Sequence, residues 1–230
     1  MQLKSHDIYL NQMTEVKWRL KATSRILGAK KPLTLSIDAD NESAMLQVRK
    51  IIELITFSAI VADEQRYQRS RELDAQANQR DHGDYTLDWK APDILQRLAK
   101  ISPHFLPRPI GSLVTASDGT AQFTDGKAKI THDRLIELYK TAGGHLHISN
   151  PYKVGATDAE KRKRAEARAF LIKEVSWLES VIWDHGKIGL AWDPNSDPHA
   201  SERPEQAWIV SFGQKQTDHI RMTLATAVPD

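Results

Sequence analysis

The stretch Ala44-Met-Leu-Gln-Val-Arg-Lys-Ile-Ile-Glu-Leu-Ile-Thr-Phe-Ser-Ala-Ile-Val-Ala62 decides the fold of this chain. Its apolar residues form two neighbouring stripes at helical spacing: Ala44, Val48, Ile51, Ile55, Ala59 and Ala62, then Leu54, Phe57 and Val61. A helix that is apolar over so much of its circumference is typical of the buried centre of a bundle. We therefore predict a central helix over about 41–75, capped by Asp38 or Asp40.

Two charged residues interrupt this stretch, and their role has two interpretations. Arg49 and Glu53 are four residues apart, a spacing that brings side chains together on one helix face. As a surface ion pair they would contribute a few tenths of a kcal/mol. As a partly buried pair they would have a functional role, in binding a partner or forming a site, because burying charges is costly.

The remaining periodicities predict a mainly α chain with a small β part, an α+β fold. Around the central helix we expect further helices at about 6–27, 91–101, 132–144 and 157–184, with Phe105 packed in the core. Strands are expected as an internal hairpin (110–116 with 121–124) and as a C-terminal antiparallel meander (187–192, 207–212, 220–228). Residues 1–185 are predicted to form a helical domain, and residues 186–230 a meander that packs on it and does not fold independently.

Composition excludes several classes of protein. The 230 residues are 40% hydrophobic and 27% charged, as in ordinary globular proteins, with a net charge of +2. The chain contains no cysteine, which excludes a disulfide scaffold, a thiolate metal site and a cysteine nucleophile. It begins without the pattern of a signal peptide, and no apolar run reaches the length of a membrane helix. We expect a cytoplasmic protein that does not enter a membrane.

Candidate chemistry concentrates in Leu138-Tyr-Lys-Thr-Ala-Gly-Gly-His-Leu-His-Ile-Ser-Asn-Pro-Tyr152. This stretch combines two histidines one residue apart with a Gly-Gly pair, two tyrosines and an Asn-Pro stop. The candidate catalytic residues are His145, Lys140, His147 and Tyr139, and Asn150 is a candidate for binding.

Several segments resemble a group of uncharacterised bacterial helical proteins that is similar to the HEPN superfamily. They include Leu46-Gln-Val-Arg-Lys-Ile-Ile-Glu53, Pro103-His-Phe-Leu-Pro107 and Gly144-His-Leu-His147, and the resemblance spans about 1–185. It implies a small helical bundle, often dimeric, that cleaves RNA in bacterial defence or in toxin–antitoxin systems. The superfamily motif is an arginine, four to six residues and a histidine. Here Lys140 stands at the arginine position before His145, and lysine lacks the planar fork that suits a phosphate.

These residues could cleave an RNA phosphodiester without a metal or another cofactor. A histidine with a pKa near 6.5 can take the 2′-hydroxyl proton or protonate the leaving oxygen. Lys140 would stabilise the charged phosphorane, supported by His147 or Tyr139, and a homodimer could bring two such sets together. Two alternatives stay open. The histidines could be structural residues at the end of a helix, bonded to local carbonyls. They could also bind a metal together with His132, Asp133 or His185.

A basic run follows the histidines at the start of the next predicted helix. Lys161, Arg162 and Arg164 could hold phosphates of a bound RNA, or they could be an ordinary solvated helix face. The function that we predict is an RNA-binding protein or ribonuclease. The alternative is a non-catalytic scaffold that docks a protein partner through a helical face or through the acidic loop 193–205.

Overall fold

Six α-helices and a five-stranded sheet make up the described part of the computed structural model, which covers residues 5–78, 83–115, 117, 121–147, 150, 152, 156–190, 197–198 and 204–226. The helices are α1 (Ser5–Gly28), α2 (Ile37–Val61), α3 (Glu64–Ala77), α4 (Ala91–Ile101), α5 (His132–Leu146) and α6 (Ala156–Ile182). A 3-10 turn, Tyr85–Leu87, precedes α4. The strands are β1 (Arg108–Thr115), β2 (Ala121–Asp125), β3 (Asp184–Leu190), β4 (Pro204–Ser211) and β5 (Arg221–Thr226). The predicted mainly α, α+β class is confirmed.

Helix α2 is the centre of the molecule, as its two apolar stripes predict. It packs against α1, α4, α5 and α6, and residues from Ala44 to Ala59 on its buried face are almost fully enclosed. The prediction of one helix to residue 75 is wrong, since α2 ends at Val61 and α3 begins at Glu64. The break lies at Asp63, whose buried carboxylate turns inward to Lys187 of β3.

The N-terminus of α2 is capped differently from the prediction. Ser36 is the N-cap residue, and its hydroxyl accepts a hydrogen bond from the Ala39 backbone. Asp40 is buried, and its carboxylate accepts bonds from the backbones of Leu33 and Thr34, so it orders the α1–α2 connection instead. These backbone donors lower the pKa of Asp40, because they stabilise the charged form.

The five strands form one antiparallel sheet in the order β2-β1-β3-β4-β5. The predicted hairpin and the predicted meander are therefore edges of the same sheet, joined where Arg108 and Pro109 pair with Gly186 and His185. Gly186 lies inside β3, and α6 ends at Ile182, two residues before the predicted end of that helix. The predicted division at residue 185 stays a prediction.

Buried polar contacts fix the sheet on the helices. The imidazole of His185 is fully buried, with Nδ1 bonded to the Ile182 carbonyl at 2.7 Å and Nε2 to the Tyr9 hydroxyl at 2.8 Å. A carbonyl only accepts, so Nδ1 carries the proton and Nε2 accepts from Tyr9. Burial lowers the pKa of His185 to about 4, which keeps it neutral. Both nitrogens are used, so His185 is a structural residue and not a metal ligand.

Helices α5 and α6 lie against the centre and carry the candidate residues. Thr131 caps α5, with its hydroxyl accepting from the Arg134 backbone. Helix α6 already includes Ala156, so it begins before the predicted start at residue 157. Phe105 is buried as expected, between the end of α4 and the start of β1.

Candidate functional site

Helix α5 presents its candidate residues on different faces. Lys140 and His145 are five positions apart, which places them about 140° apart around an α-helix. Lys140 is exposed, whereas the His145 ring is half-buried against α6. The lysine therefore does not share a helix face with the histidine that it precedes. Tyr139 lies about 120° away from His145 and faces α2 instead.

The His145 ring lies in a narrow polar hollow between α5, α2 and α6. It stacks on Phe170 with ring centroids 5.6 Å apart and planes inclined by 29°. Lys163 and Arg164 of α6 line the same hollow, together with the carboxylates of Glu160 and of the α2 residues Asp38 and Glu42. Its volume is about 20 Å³, which is room for one water molecule. We call this region the His145 hollow.

The surroundings keep the His145 imidazole unprotonated. Burial lowers its pKa, and the positive charge of Lys163 lowers it further, while Glu160 and Glu166 oppose the shift. At neutral pH the ring is therefore mostly neutral, with one nitrogen able to accept a proton. This protonation state suits a general base.

Most of the charged side chains that line the His145 hollow form ion pairs with one another. Arg164 lies 3.5 Å from Asp38 and 3.6 Å from Glu160, and Lys163 lies 3.8 Å from Glu160. Lys163 also donates to the His147 carbonyl at 2.8 Å, which ties the C-terminal end of α5 to α6. Three carboxylates therefore face two cations in the hollow, and both cations come from α6 and not from Lys140 of α5.

A second polar cluster lies on the α2 side of α5. The Arg49 guanidinium packs on the Tyr139 ring, 4.2 Å from its centroid, and donates to its hydroxyl at 2.6 Å. That hydroxyl donates in turn to Glu53 at 3.2 Å. Arg49 and Glu53 form no direct ion pair in the described part of the chain, and Glu53 pairs with Lys50 at 2.7 Å. The prediction of a simple surface pair between them is wrong, because Tyr139 connects them.

One glycine of the Gly-Gly pair is explained by this cluster. A Cβ atom on Gly143 would collide with the Arg49 guanidinium, so a larger residue here would force the arginine away from Tyr139. A Cβ on Gly144 would meet no atom. Burial and the Glu53 charge raise the pKa of Tyr139 against the effect of Arg49, so its hydroxyl stays protonated and can donate.

The other predicted residues lie in solvent around these two clusters. His147 and Asn150 are exposed, and the Asn150 side chain accepts from the Tyr152 backbone at 3.0 Å. Lys161 and Arg162 are exposed on the first turns of α6. The structure thus brings His145 and Arg164 together in one place, and Tyr139, Arg49 and Glu53 in another.

Sequence reasoning missed the partners of His145. Phe170, Lys163 and Glu160 come from the next helix, and Asp38 and Glu42 from a helix about one hundred residues earlier. The one available signal was the spacing Glu160-x-x-Lys163-x-x-x-Ala167-x-x-Phe170, which puts these residues on one side of α6. The acidic loop 193–205 lies largely outside the described residues.

Comparisons with known proteins give no relative. No family model, no curated protein and no solved structure matches this chain. The resemblance to the HEPN superfamily therefore stays a prediction. In the described part of the chain, no group of three histidine, aspartate or glutamate residues is placed to hold a metal ion. No described helix has the length and apolar character needed to cross a bilayer.

Proposed function

We propose that this protein binds single-stranded RNA across the end of α5 and the start of α6, and that His145 is the acid–base group of a metal-independent ribonuclease. One observation carries the proposal: a neutral, half-exposed imidazole stands beside a lysine in a surface hollow. An imidazole can move the proton, and an ammonium can stabilise the phosphorane.

The reaction proceeds by transfer within the RNA. His145 takes the 2′-hydroxyl proton, the 2′-oxygen attacks the adjacent phosphorus, and the bond from phosphorus to the 5′-oxygen breaks. The products are a 2′,3′-cyclic phosphate and a 5′-hydroxyl, the latter receiving its proton from water or through His147. Lys163 faces the charge that develops on phosphorus, because it is the cation that acts on the His145 ring.

RNA would be held by cations outside the His145 hollow. Lys140, Lys161 and Arg162 are exposed and form no ion pair within the described residues, so they are available to phosphates. Lys161 and Arg162 lie about 100° apart on α6, so they would contact different phosphates. Each phosphate contact on a single strand contributes about 0.7 to the slope of log K against log salt concentration.

Cleavage of a labelled single-stranded RNA in EDTA tests the catalytic half of the proposal. Wild-type protein should produce 2′,3′-cyclic phosphate ends, and DNA of the same sequence should stay intact, because it lacks the attacking hydroxyl. His145→Ala should slow cleavage about 100-fold or more. His132→Ala, at the opposite end of α5, is the matched control and should retain full activity. Equal rates for the two variants would refute the assignment.

Binding is measured separately from cleavage. Lys161→Gln with Arg162→Gln should weaken RNA binding and reduce its salt slope by about 1.4, while leaving the fold intact. Wild-type protein that binds no RNA but co-purifies with another protein would favour the scaffold hypothesis instead. The homodimer, the cytoplasmic location and the defence role remain proposals, and light scattering of the purified protein tests the first.

A further inference from the structure

The larger of the two openings described at α5 is at its N-terminal end, away from the residues to which RNA binding and cleavage are assigned. A cavity of about 520 Å³ lies between the α4–β1 connection, the end of β2, the start of α5 and β3. We call it the α5 entry cavity. Its volume is within the usual range for small-molecule sites. His132 on its wall is thirteen residues from His145, so the two regions are about 20 Å apart along the helix.

Backbone contacts keep the α5 entry cavity open. Pro103, Pro107 and Pro109 prevent regular helix after α4, so the chain follows one wall through a turn and a bend before β1 begins at Arg108. Opposite, the Gly126 N–H donates to the Pro109 carbonyl at 2.8 Å. A Cβ on Gly126 would lie 2.8 Å from the Pro109 side chain and 3.1 Å from its carbonyl. The walls are therefore fixed by the chain itself and do not need a ligand to form.

The interior wall is apolar. Phe105 and Leu106 come from the α4–β1 connection, Ile130 from the approach to α5 and Ile188 from β3. Phe105 is only 5% exposed, so this wall is continuous with the protein core. A ligand would have to bring an apolar body to cover these side chains, because binding then removes their surface from water.

The charged groups on the cavity favour an anion. Arg108 and Lys129 line it as cations, against the single carboxylate of Asp125. His104 and His132 also line it, and burial lowers the pKa of His104, which keeps that ring neutral. Arg108 neutralises that carboxylate through two bonds, at 2.6 Å and 2.9 Å. Lys129 is close enough to lower the pKa of Asp125 but forms no ion pair with a described residue. Lys129 lies close to the N-terminal end of α5, where the helix dipole also favours negative charge.

We propose that the α5 entry cavity binds a small organic anion: an apolar body against Phe105, Ile130 and Ile188, and a carboxylate held by Lys129. The cavity has the two halves that such a molecule needs, an apolar wall and a cation on the rim that forms no ion pair with any described residue. This site is independent of the proposed ribonuclease, since the two share only the helix that connects them. Either proposal can fail without the other.

The test uses three probes that separate the two halves of the ligand. Naphthalene-2-acetate has both the apolar ring system and the negative charge. Naphthalene-2-acetamide has the ring system without the charge, and inorganic phosphate has the charge without an apolar group. Calorimetry on the full-length protein should show the carboxylate binding at least tenfold more tightly than the amide, because a charge-assisted bond to Lys129 is lost in the amide. Phosphate should neither bind nor compete.

Three variants locate the site. Lys129→Gln should weaken carboxylate binding about tenfold, whereas Lys127→Gln, an exposed lysine that does not line the cavity, should leave it unchanged. Ala128→Trp should fill the cavity and abolish binding, with circular dichroism confirming that the variant is folded. The proposal is overturned if the carboxylate does not bind, if it binds no better than the amide, if phosphate competes, if the two lysine variants are equal, or if folded Ala128→Trp still binds.

Discussion

The two ends of α5 differ in what they enclose. The N-terminal end borders an apolar cavity of about 520 Å³, whereas the C-terminal end borders a polar hollow of about 20 Å³ that ion pairs nearly fill. The C-terminal end holds the stretch richest in reactive side chains, yet the space lies at the other end. The α5 entry cavity lies beside prolines that interrupt regular helix, whereas the His145 hollow lies where α2, α5 and α6 meet. A dense motif therefore does not locate the larger of these two openings at α5.

The charges near the two ends also differ in burial. Behind the wall of the α5 entry cavity, Lys187 of β3 is fully buried, 3.4 Å from Asp63 and 3.3 Å from the His104 carbonyl. In the His145 hollow, the side chains of Arg164 and Asp38 are each about half exposed. Breaking a buried pair leaves an uncompensated charge, but breaking an exposed pair returns both partners to water. Removing one partner of an ion pair should therefore cost much more unfolding free energy near the α5 entry cavity than in the His145 hollow.

The largest effect is expected from Asp63→Ala. Removing this carboxylate leaves the Lys187 ammonium buried without its ion partner, which costs about 3–5 kcal/mol of unfolding free energy. Arg164→Gln, the matched change at the exposed pair, should cost about 0.2–1 kcal/mol. Urea denaturation of the two variants measures both values. Similar losses would show that burial does not separate the two ends.

A double variant checks the reason for that loss. Asp63→Leu combined with Lys187→Met removes both charges and should recover most of the stability, because no buried charge remains. A double variant as unstable as Asp63→Ala would mean that Asp63 acts by holding the α2–α3 break, independently of Lys187.

A smaller effect is expected from Gly126→Ala at the rim of the α5 entry cavity. The added methyl must displace Pro109, whose backbone is fixed in β1, so we expect a cost of about 1–3 kcal/mol. Gly28→Ala, at the end of α1, meets no atom and serves as the control. Thermal unfolding of both proteins gives the comparison. Equal midpoints would mean that the rim yields easily and that the cavity is not held open by its backbone.

The Gly-Gly pair at the C-terminal end offers a finer test. Gly144→Ala should stabilise the protein by up to about 1 kcal/mol, because alanine is the better helix former and the space is open. Gly143→Ala should not show this increase in stability, because the methyl displaces Arg49 from Tyr139. Denaturation curves of the two single variants decide the matter, and equal stabilisation by both would contradict the assigned role of Arg49.

The smallest expected change is in the titration of His145. Lys163→Met removes a positive charge that lowers the pKa of His145, so that pKa should rise. Glu160→Gln removes an opposing negative charge and should lower it further. The pKa of His104, also lowered by burial but with Arg108 and Lys187 as its cationic neighbours, should not move in either variant. Imidazole signals followed by NMR over pH 4–9 report both rings. A pKa of His145 that is unchanged in both variants would contradict the geometry of the hollow.

The sequence predicted the fold better than the site. Apolar periodicity located the helices, because an amphipathic face repeats locally, and it identified α2 as the centre. It could not show that Asp63 breaks the long helix, since the partner, Lys187, is 124 residues away. Nor could it join the hairpin to the meander, because that contact rests on two residue pairs of distant segments.

The candidate site was only partly accessible to sequence reasoning. His145 was selected because of its neighbours in the chain, but its partners in space are on α6 and α2. The spacing from Lys140 to His145 suggested a pair, and helical geometry turns them apart. The α5 entry cavity carried no motif at all, since its lining comes from four separate segments.

The most direct test of the whole account is a histidine-ring NMR spectrum recorded with each ligand. Nine histidines report on the molecule, and four of them mark the two ends of α5. A single-stranded RNA should shift His145 and His147 and leave His104 and His132 unchanged, while naphthalene-2-acetate should do the reverse. RNA that shifts the rings of the α5 entry cavity, or that shifts none of the four, would contradict the assignment of RNA chemistry to the C-terminal end of α5.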